Sequence, residues 1–532
     1  MSNLRAAVIA ALFLFKVSAP AMADDVALTS RDGTLEITGT LLGFDGEFYR
    51  VDTEFGILTV DSSGVNCDGP ACPTLGNYVA EFTLSGARSM GEVLIPALIE
   101  GFTLNAGYAL TREELAGTGL VYRLYDDGGP TEAARITIRL TSSSEGFADL
   151  LGEEADMVLS LREVRSAERE MVREAGLGDL RGIRQFRVIA RDALVPIIAP
   201  GNPVHRLTLA QLAQVYAGKI TRWSELGGED APVTLHLTEA DTGIGALFAD
   251  MVMEREGEAL AETVLVHGTI RGLTEAVASD PFGIGIATVS QASLSQEITL
   301  TGDCAFAVAA SRAAVKAGDY PLSVPMYLYL PGRRLPKLGR DFLAYMRSTR
   351  AQQVIARAGF VDQAFTEVPL ANQGERLSNA IRAAGEDVGL DELQRMATLF
   401  DGKKRITLTF RFRGGSTVLD TPSQSNVALL AAALEAGQFD GRRLVFVGFS
   451  DGQGEGAVNA RLSRRRAEVV RDAVLAETEA FDPSRMVLET DGFGEALPMA
   501  CDTTAAGRRL NRRVEVWLRP ALTAPATDSP AP

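Results

Sequence analysis

Histidine is scarce in this sequence, and basic residues are outnumbered by acidic ones. Its 532 residues include three histidines, and 52 lysines and arginines stand against 69 aspartates and glutamates, a formal net charge of −17. The histidines, His205, His236 and His267, have no neighbouring ligand residues at zinc-like spacing, which excludes a histidine-rich metal site or a metalloprotease helix. The shortage of cations argues against nucleic-acid binding, because phosphate contacts require lysine or arginine.

Long hydrophobic runs are also absent, since no segment beyond the N-terminus reaches the length of a membrane span. Residues 1–23 combine Arg5, a short apolar run and the small-x-small motif Ala21-Met22-Ala23. This pattern predicts a secretory signal peptide, and therefore export to the periplasm.

Only four cysteines are present, and an exported chain can keep them as disulfides. Cys67 and Cys72 flank an Asp-Gly-Pro turn, so we expect them to close a small loop. Cys304 and Cys501 either pair across a domain boundary or remain buried thiols, because four cysteines allow three connectivities.

The hydrophobic fraction of 46% is enough for several packed cores, and the length predicts about three domains. Residues 24–80 alternate with period two and predict a small, acidic β domain with 2 basic and 10 acidic residues. From residue 81 strands alternate with helices, among them a helix predicted over Arg340–Ala358. The expected division is a signal peptide (1–23), a small β domain (24–80), a two-lobed domain (81–370), a connector (371–404), an α/β sandwich (405–520) and a disordered tail (521–532).

The last α/β segment is predicted in the most detail. Its expected strands are 406–412, 443–448, 486–490 and 513–518, and its expected helices are 423–436 and 459–476. A glycine-rich loop, Gly448–Gly454, follows the second of these strands. Asn459, Ser463 and Arg466 lie at i, i+4 and i+7, hence on one helical face. The loop carboxylate Asp451 and the Arg466 guanidinium can therefore converge, and such a pair complements a zwitterion.

These motifs, with Gly492-Phe493-Gly494 and Asn511-Arg512-Arg513, resemble the OmpA-like peptidoglycan-binding domain over residues 405–518. The resemblance implies binding of the diaminopimelate side chain of the peptidoglycan stem peptide. Asp451 would then take the ligand's ammonium group, Arg466 its carboxylate and Asn459 a hydrogen bond, while Arg513 would support the loop. Phe449 stands where the family usually has histidine, and we expect it to be structural. The alternative is that Asp451 and Arg466 form a surface salt bridge.

Residues 81–365 resemble the phosphate-type periplasmic solute-binding proteins, which have two α/β lobes. The resemblance rests on the stretches 84–91, 142–146, 155–162 and 195–223, and on the closing Ala358-Gly359-Phe360. It implies an anion site made of helix N-termini, hydroxyls and arginine. The residues it assigns to this ligand site are Ser85, Arg88, Ser89, Ser144, Ser160, Arg162, Thr242 and Gly243.

The third ligand loop departs from that family, which has an arginine followed by Gly-Ser-Gly-Thr. Here Thr238 holds the arginine position and Ile244 the final threonine position, while Glu239 and Asp241 add two carboxylates. Because a phosphate would lose a bidentate partner and meet added negative charge, the sequence predicts weak or absent phosphate capture.

No nucleophile elbow, P-loop or metal cluster is present, so we expect a non-catalytic protein without cofactor or metal. The resulting hypothesis is a multidomain α/β protein of the periplasm, held non-covalently on peptidoglycan at the outer-membrane side, whose central domain holds a small solute. The alternative is a cell-envelope scaffold whose central domain binds protein partners and no solute.

Overall fold

The computed structural model describes residues 25–74, 78–126, 129–239, 243–292, 295–302, 304, 306–385, 387–414 and 416–519. The predicted signal peptide, the predicted tail and the ligand candidate Thr242 lie outside these residues. Contacts divide the chain into two units, one of Met1–Ala80 with Leu335–Gly339 and one of Glu81–Arg334 with Arg340–Pro532. No helix in the described ranges has both the length and the apolar character needed to cross a membrane.

The first unit is an antiparallel five-stranded sheet in the order β4-β3-β2-β1-β5, as the period-two pattern predicts. Its small core consists of Val26, Leu28, Tyr49 and Val51. A disulfide joins Cys67 to Cys72, as expected from their spacing. The strands are β1 (Val26–Ser30), β2 (Glu36–Phe44), β3 (Phe48–Thr53), β4 (Gly56–Asp61) and β5 (Val65–Asp68), with a 3-10 turn at Ser62–Gly64.

The second unit begins with a two-lobed α/β domain, which is the name used here for residues 81–334 and 340–366. Its strands are β6 (Ala80–Ala87), β7 (Ala109–Leu115), β8 (Gly119–Tyr125), β9 (Glu132–Thr141), β10 (Met157–Ser160), β11 (Phe186–Ile198), β12 (Arg206–Thr208), β13 (Thr234–Thr238), β14 (Leu265–His267), β15 (Gly283–Thr288), β16 (Gln296–Glu297), β17 (Thr299–Thr301), β18 (Ala307–Val308) and β19 (Ser323–Tyr329). Its helices are α1 (Ile95–Ala106), α2 (Ser143–Leu151), α3 (Ser166–Glu174), α4 (Leu209–Tyr216), α5 (Ile244–Phe248), α6 (Glu254–Glu256), α7 (Ile270–Ser279), α8 (Arg312–Ala317), α9 (Lys337–Tyr345) and α10 (Thr349–Arg357), with short π or 3-10 segments at Met90–Leu94, Trp223–Leu226 and Ala249–Met253.

The long strand β11 runs through both lobes. Its first part pairs with β19, which continues through β10 and β6 to β9, β8 and β7. Its last residues, Leu194–Ile198, pair with β15, which continues to β13 and β14. β11 is buried along nearly its whole length, and its mostly apolar sequence includes two adjacent buried charged residues, Arg191 and Asp192.

One predicted helix of this domain is wrong. The sequence predicts a single helix over 340–358, whereas the structure has α9 and α10 with a break between them. Ser348 adopts an extended conformation, and its side chain accepts a hydrogen bond from the Ala351 amide at 3.1 Å. A serine that caps a new helix competes with continuation of the previous one.

The remainder of the second unit, residues 367–519, is called the C-terminal domain below. Its sheet has the order β20-β21-β24-β22-β23. The strands are β20 (Glu367–Pro369), β21 (Lys404–Arg411), β22 (Arg443–Phe449), β23 (Val487–Gly492) and β24 (Arg513–Arg519). The helices are α11 (Gly374–Ala383), α12 (Leu390–Phe400), α13 (Thr421–Glu435), α14 (Gly456–Glu477) and α15 (Ala505–Asn511), with a 3-10 turn at Leu370–Gln373.

Helices cover both faces of this sheet. Residues of α13 and α14, such as Leu430 and Val470, share one core cluster with the sheet residue Phe446. Met396 and Phe400 of α12 share a second cluster with Trp517, and Phe400 stacks on the Trp517 ring at 3.9 Å. The segment predicted as a connector therefore packs as two helices against the sheet.

Candidate functional site

The glycine loop after β22 and the start of α14 form the candidate site of the C-terminal domain. Asn459, Ser463 and Arg466 lie on the inner face of α14, and all three are buried. Helix and strand approach closely here, because a Cβ on Gly448 would lie 1.8 Å from the Ser463 carbonyl oxygen. The Ser463 hydroxyl accepts a hydrogen bond from the Gly494 amide at 2.9 Å, which ties the loop after β23 to the helix.

Several buried polar atoms at this site have no hydrogen-bond partner among the described residues. They are Nε and Nη1 of Arg466, Nδ2 of Asn459, Oγ of Ser450 and Nε of Arg512. Arg466 is 1% exposed, and its Nη2 lies 3.4 Å from the Ser416 carbonyl oxygen. Burial lowers the pKa of Arg466, which the Asp451 carboxylate partly offsets. An unpaired buried polar group typically costs about 1–3 kcal/mol, so these atoms favour a ligand that accepts hydrogen bonds.

Asp451 does not bond directly to Arg466. Its Oδ2 accepts a hydrogen bond from Nη1 of Arg512 at 2.5 Å. Arg512 was not among the predicted site residues. Arg512 belongs to the Asn511-Arg512-Arg513 run, in which the sequence predicts a supporting role for the neighbouring Arg513.

Arg513 lies in the interior and supports the site from behind. It is fully buried, donates to Glu515 at 2.7 Å and to the Leu497 carbonyl at 2.8 Å, and its guanidinium lies 4.3 Å from the centre of the Phe449 ring. Burial lowers the pKa of Arg513 to about 10. Phe449 is therefore part of the packing beneath the loop, in line with the structural role expected for it.

Two further carboxylates lie close to the loop at Gly452. The Gly452 amide donates to Asp502 at 2.6 Å, and a Cβ on Gly452 would lie 2.5 Å from the Glu495 carboxylate. Burial raises the pKa of Glu495, and the neighbouring Asp387, Asp502 and Asp451 raise it further. The site thus combines carboxylate acceptors with the unpaired donors of Arg466 and Asn459, an arrangement suited to a zwitterion.

The predicted ligand residues of the two-lobed domain are mostly engaged with protein groups. Arg162 makes two hydrogen bonds to Glu168, at 2.9 and 2.6 Å, and a third to Ser144 at 2.9 Å. Arg88 pairs with Glu92 at 3.1 Å. Both candidate cations therefore have a carboxylate partner.

The predicted serines divide into engaged and free hydroxyls. Ser85 donates to Asp149 at 2.5 Å, and Ser160 donates to the Arg162 carbonyl at 2.8 Å. The Ser89 hydroxyl is buried without a partner in the described ranges. Gly243, at φ +84, precedes α5.

Ser89 faces a cavity of about 10 Å³ between the lobes, which has room for about one water molecule. Asp192 of β11 also lines it and accepts hydrogen bonds from Ser290 Oγ at 2.5 Å and from the Ala193 amide at 2.8 Å. Burial raises the pKa of Asp192 to about 6. Asp192 is not among the residues predicted from the sequence, because no motif surrounds it within β11.

Two known families match segments of the second unit. Residues 116–350 match the family described as PBP superfamily domain, and residues 411–512 match the OmpA family. Both resemblances predicted from the sequence are therefore confirmed. Within the described residues, no group of three or more histidine, cysteine, aspartate or glutamate side chains could hold a metal ion.

Individual relatives match one half or the other. The C-terminal segment is 42% identical over 74 residues to the probable lipoprotein YiaD of Escherichia coli, covering 14% of this chain and 32% of YiaD. The central segment is 24% identical over 229 residues to the phosphate-binding protein PstS of Bacillus subtilis, covering 43% of this chain and 71% of PstS. An ABC-type phosphate transport receptor from Vibrio cholerae is 19% identical with a TM-score of 0.40, covering 53% of this chain and 99% of that structure.

Proposed function

We propose that this chain, with its solute-binding-like domain followed by an OmpA-like domain, is a non-catalytic periplasmic protein attached non-covalently to peptidoglycan. The observation that supports this proposal most directly is that Arg466 and Asn459 have buried hydrogen-bond donors without partners in the described structure. The carboxylates of Asp451 and Glu495 lie near them. The ligand is the diaminopimelate side chain of the stem peptide, whose free end has one carboxylate and one ammonium group.

Each ligand charge has a counterpart at the site. The ligand carboxylate binds the Arg466 guanidinium, whose Nε and Nη1 donors have no partner among the described residues. The ammonium binds Asp451, whose Oδ2 is held by Arg512, so that Arg512 acts as a positioning residue. Arg513 keeps the loop in place through Phe449 and Leu497.

Sedimentation with purified peptidoglycan tests this proposal. The Arg466→Ala variant should bind at least tenfold more weakly than the unchanged protein, because a charge-assisted pair is lost. The matched control is Arg465→Ala on the same helix, whose side chain is 65% exposed and pairs with Glu468. Equal sedimentation of both variants and the unchanged protein would refute the peptidoglycan assignment.

For the central domain we propose that a small solute binds between the lobes after they separate. We expect a solute that donates a hydrogen bond, and not phosphate. Arg88 and Arg162 are already paired with carboxylates, and the carboxylate of Asp192 lines the cavity. The second candidate function is an envelope scaffold without a solute, which the narrow cavity of about 10 Å³ favours.

A thermal-shift screen of the whole protein separates these two functions, since a ligand raises the melting temperature only if it binds the folded state. A neutral or cationic solute that raises it, and fails to do so in Asp192→Asn, would support solute binding. Absence of any shift across amino acids, sugars and amines would favour the scaffold.

A further inference from the structure

Four arginines line a cavity of about 150 Å³ where the two-lobed domain meets the C-terminal domain. Arg191 and Arg255 come from the first domain, and Arg411 and Arg509 come from the second. The cavity is several times larger than the space that one water molecule needs. It is separate from the small cavity between the lobes and from the loop at Asp451.

Arg191 is the most deeply buried of these four arginines. It is 4% exposed, and its Nε is buried without a hydrogen-bond partner in the described part of the chain. Strand alternation explains its position, because Asp192 lines the cavity between the lobes and the adjacent Arg191 lies on the other face of β11. A buried guanidinium without a carboxylate partner is costly, so the site favours an added anion.

The nearby carboxylates do not neutralise the four arginines. Asp319 bonds to Arg405 at 2.7 Å and to Arg411 at 2.9 Å, so it is shared between two cations. Nε of Arg411 is nevertheless buried without a partner. Asp420 lines the cavity, and its Oδ1 accepts the Ser423 amide as the N-cap of α13. One lining carboxylate therefore stands against four guanidinium groups.

We propose that this cavity binds a small doubly charged tetrahedral oxyanion of the phosphate type, held by arginines of both domains. Guanidinium groups match the geometry of such oxygens. The Thr409 hydroxyl, which accepts from Arg405, and the second Nδ2 hydrogen of Asn426 add donors in the lining. The bound anion bridges the two domains, because each contributes two of its cations.

Isothermal titration of the whole exported protein with inorganic phosphate tests the proposal, at constant ionic strength set with sodium chloride. Saturable binding of one phosphate is expected, with sulfate competing and acetate not competing. Arg509→Gln should weaken binding about tenfold or more, and because Arg509 is exposed the substitution leaves the packing of the core unchanged. Arg191→Gln should weaken binding further.

Two control variants locate the site. Arg466→Gln, at the peptidoglycan site, and Ser89→Val, in the cavity between the lobes, should bind phosphate as the unchanged protein does. No saturable binding, or equal affinity in Arg509→Gln and the unchanged protein, would overturn the proposal. Loss of binding in Ser89→Val alone would assign the anion to the cavity between the lobes and would equally overturn it.

Discussion

At the scale of single residues, the buried carboxylate of Asp192 should make the stability of the second unit depend on pH. Burial raises its pKa from 3.8 to about 6, so the folded protein holds the proton more tightly than the unfolded chain. The unfolding free energy should therefore fall as pH rises from about 4 to about 6. The loss attributable to this group is at most about 3 kcal/mol.

The Asp192→Asn variant should remove this dependence, because an amide does not ionise. Denaturant unfolding at pH 4 and pH 7 measures the difference between variant and unchanged protein. Relative to the unchanged protein, the variant should have a higher unfolding free energy at pH 7 than at pH 4. Asp472→Asn, at an exposed helix position, provides the control and should show no such shift. A constant difference for Asp192→Asn at both pH values would refute the prediction.

The sequence predicts the position of a side chain well where helical spacing fixes the face on which the side chain lies. It predicts that position poorly where tertiary contacts decide it. The i, i+4, i+7 spacing placed Asn459 and Arg466 on one helical face, and both are buried there. The Asn-Arg-Arg run did not reveal which arginine reaches the loop. Arg512 contacts Asp451, while Arg513 points into the core toward Glu515, because neighbouring residues of an extended chain face opposite sides.

At the scale of secondary-structure elements, the contact between β22 and α14 depends on glycine at position 448. A Cβ there would lie 1.8 Å from the Ser463 carbonyl oxygen, and backbone atoms cannot retreat as a flexible side chain can. Gly448→Ala should therefore lower the unfolding free energy by about 3 kcal/mol or more and weaken peptidoglycan binding through displacement of α14.

Gly374→Ala is the matched control for that substitution. Gly374 opens α11, has helical dihedral angles, and has no atom near its added Cβ in the described structure. This control should be neutral or slightly stabilising, because alanine favours helices. Denaturant unfolding compares the two variants, and a Gly448→Ala protein as stable as the control would contradict the close contact.

Element boundaries were predicted best where strands and helices alternate with strong periodicity. In the C-terminal domain the predicted strands and helices over 406–518 end within about three residues of the observed ones. The break between α9 and α10 was missed, because the amphipathic pattern continues through Ser348 while the cap interrupts the backbone. The sequence of residues 374–400 looks polar because each of its two helices has only one apolar face. That face packs in the cluster around Trp517, and the other face is exposed.

At the scale of the whole molecule, the second unit is held together by contacts between its two domains. A disulfide joins Cys304 to Cys501, which resolves the pairing that the sequence left open. The buried pairs of Arg405 and Arg411 with Asp319 and the hydrogen bond from Thr421 to Glu163 cross the same boundary. These contacts link residues far apart in sequence, so periodicity and spacing could not predict them.

The disulfide between the domains should stabilise the second unit, because it closes a loop of 197 residues in the unfolded chain. The double variant Cys304→Ser, Cys501→Ser should lower the unfolding free energy of this unit by about 2–4 kcal/mol. The Cys67→Ser, Cys72→Ser double variant is the control, since its bridge lies in the first unit. Calorimetry should show a lower melting temperature for the second unit only in the first variant. An unchanged transition there would mean that the Asp319 ion pairs and the packing alone hold the two domains together.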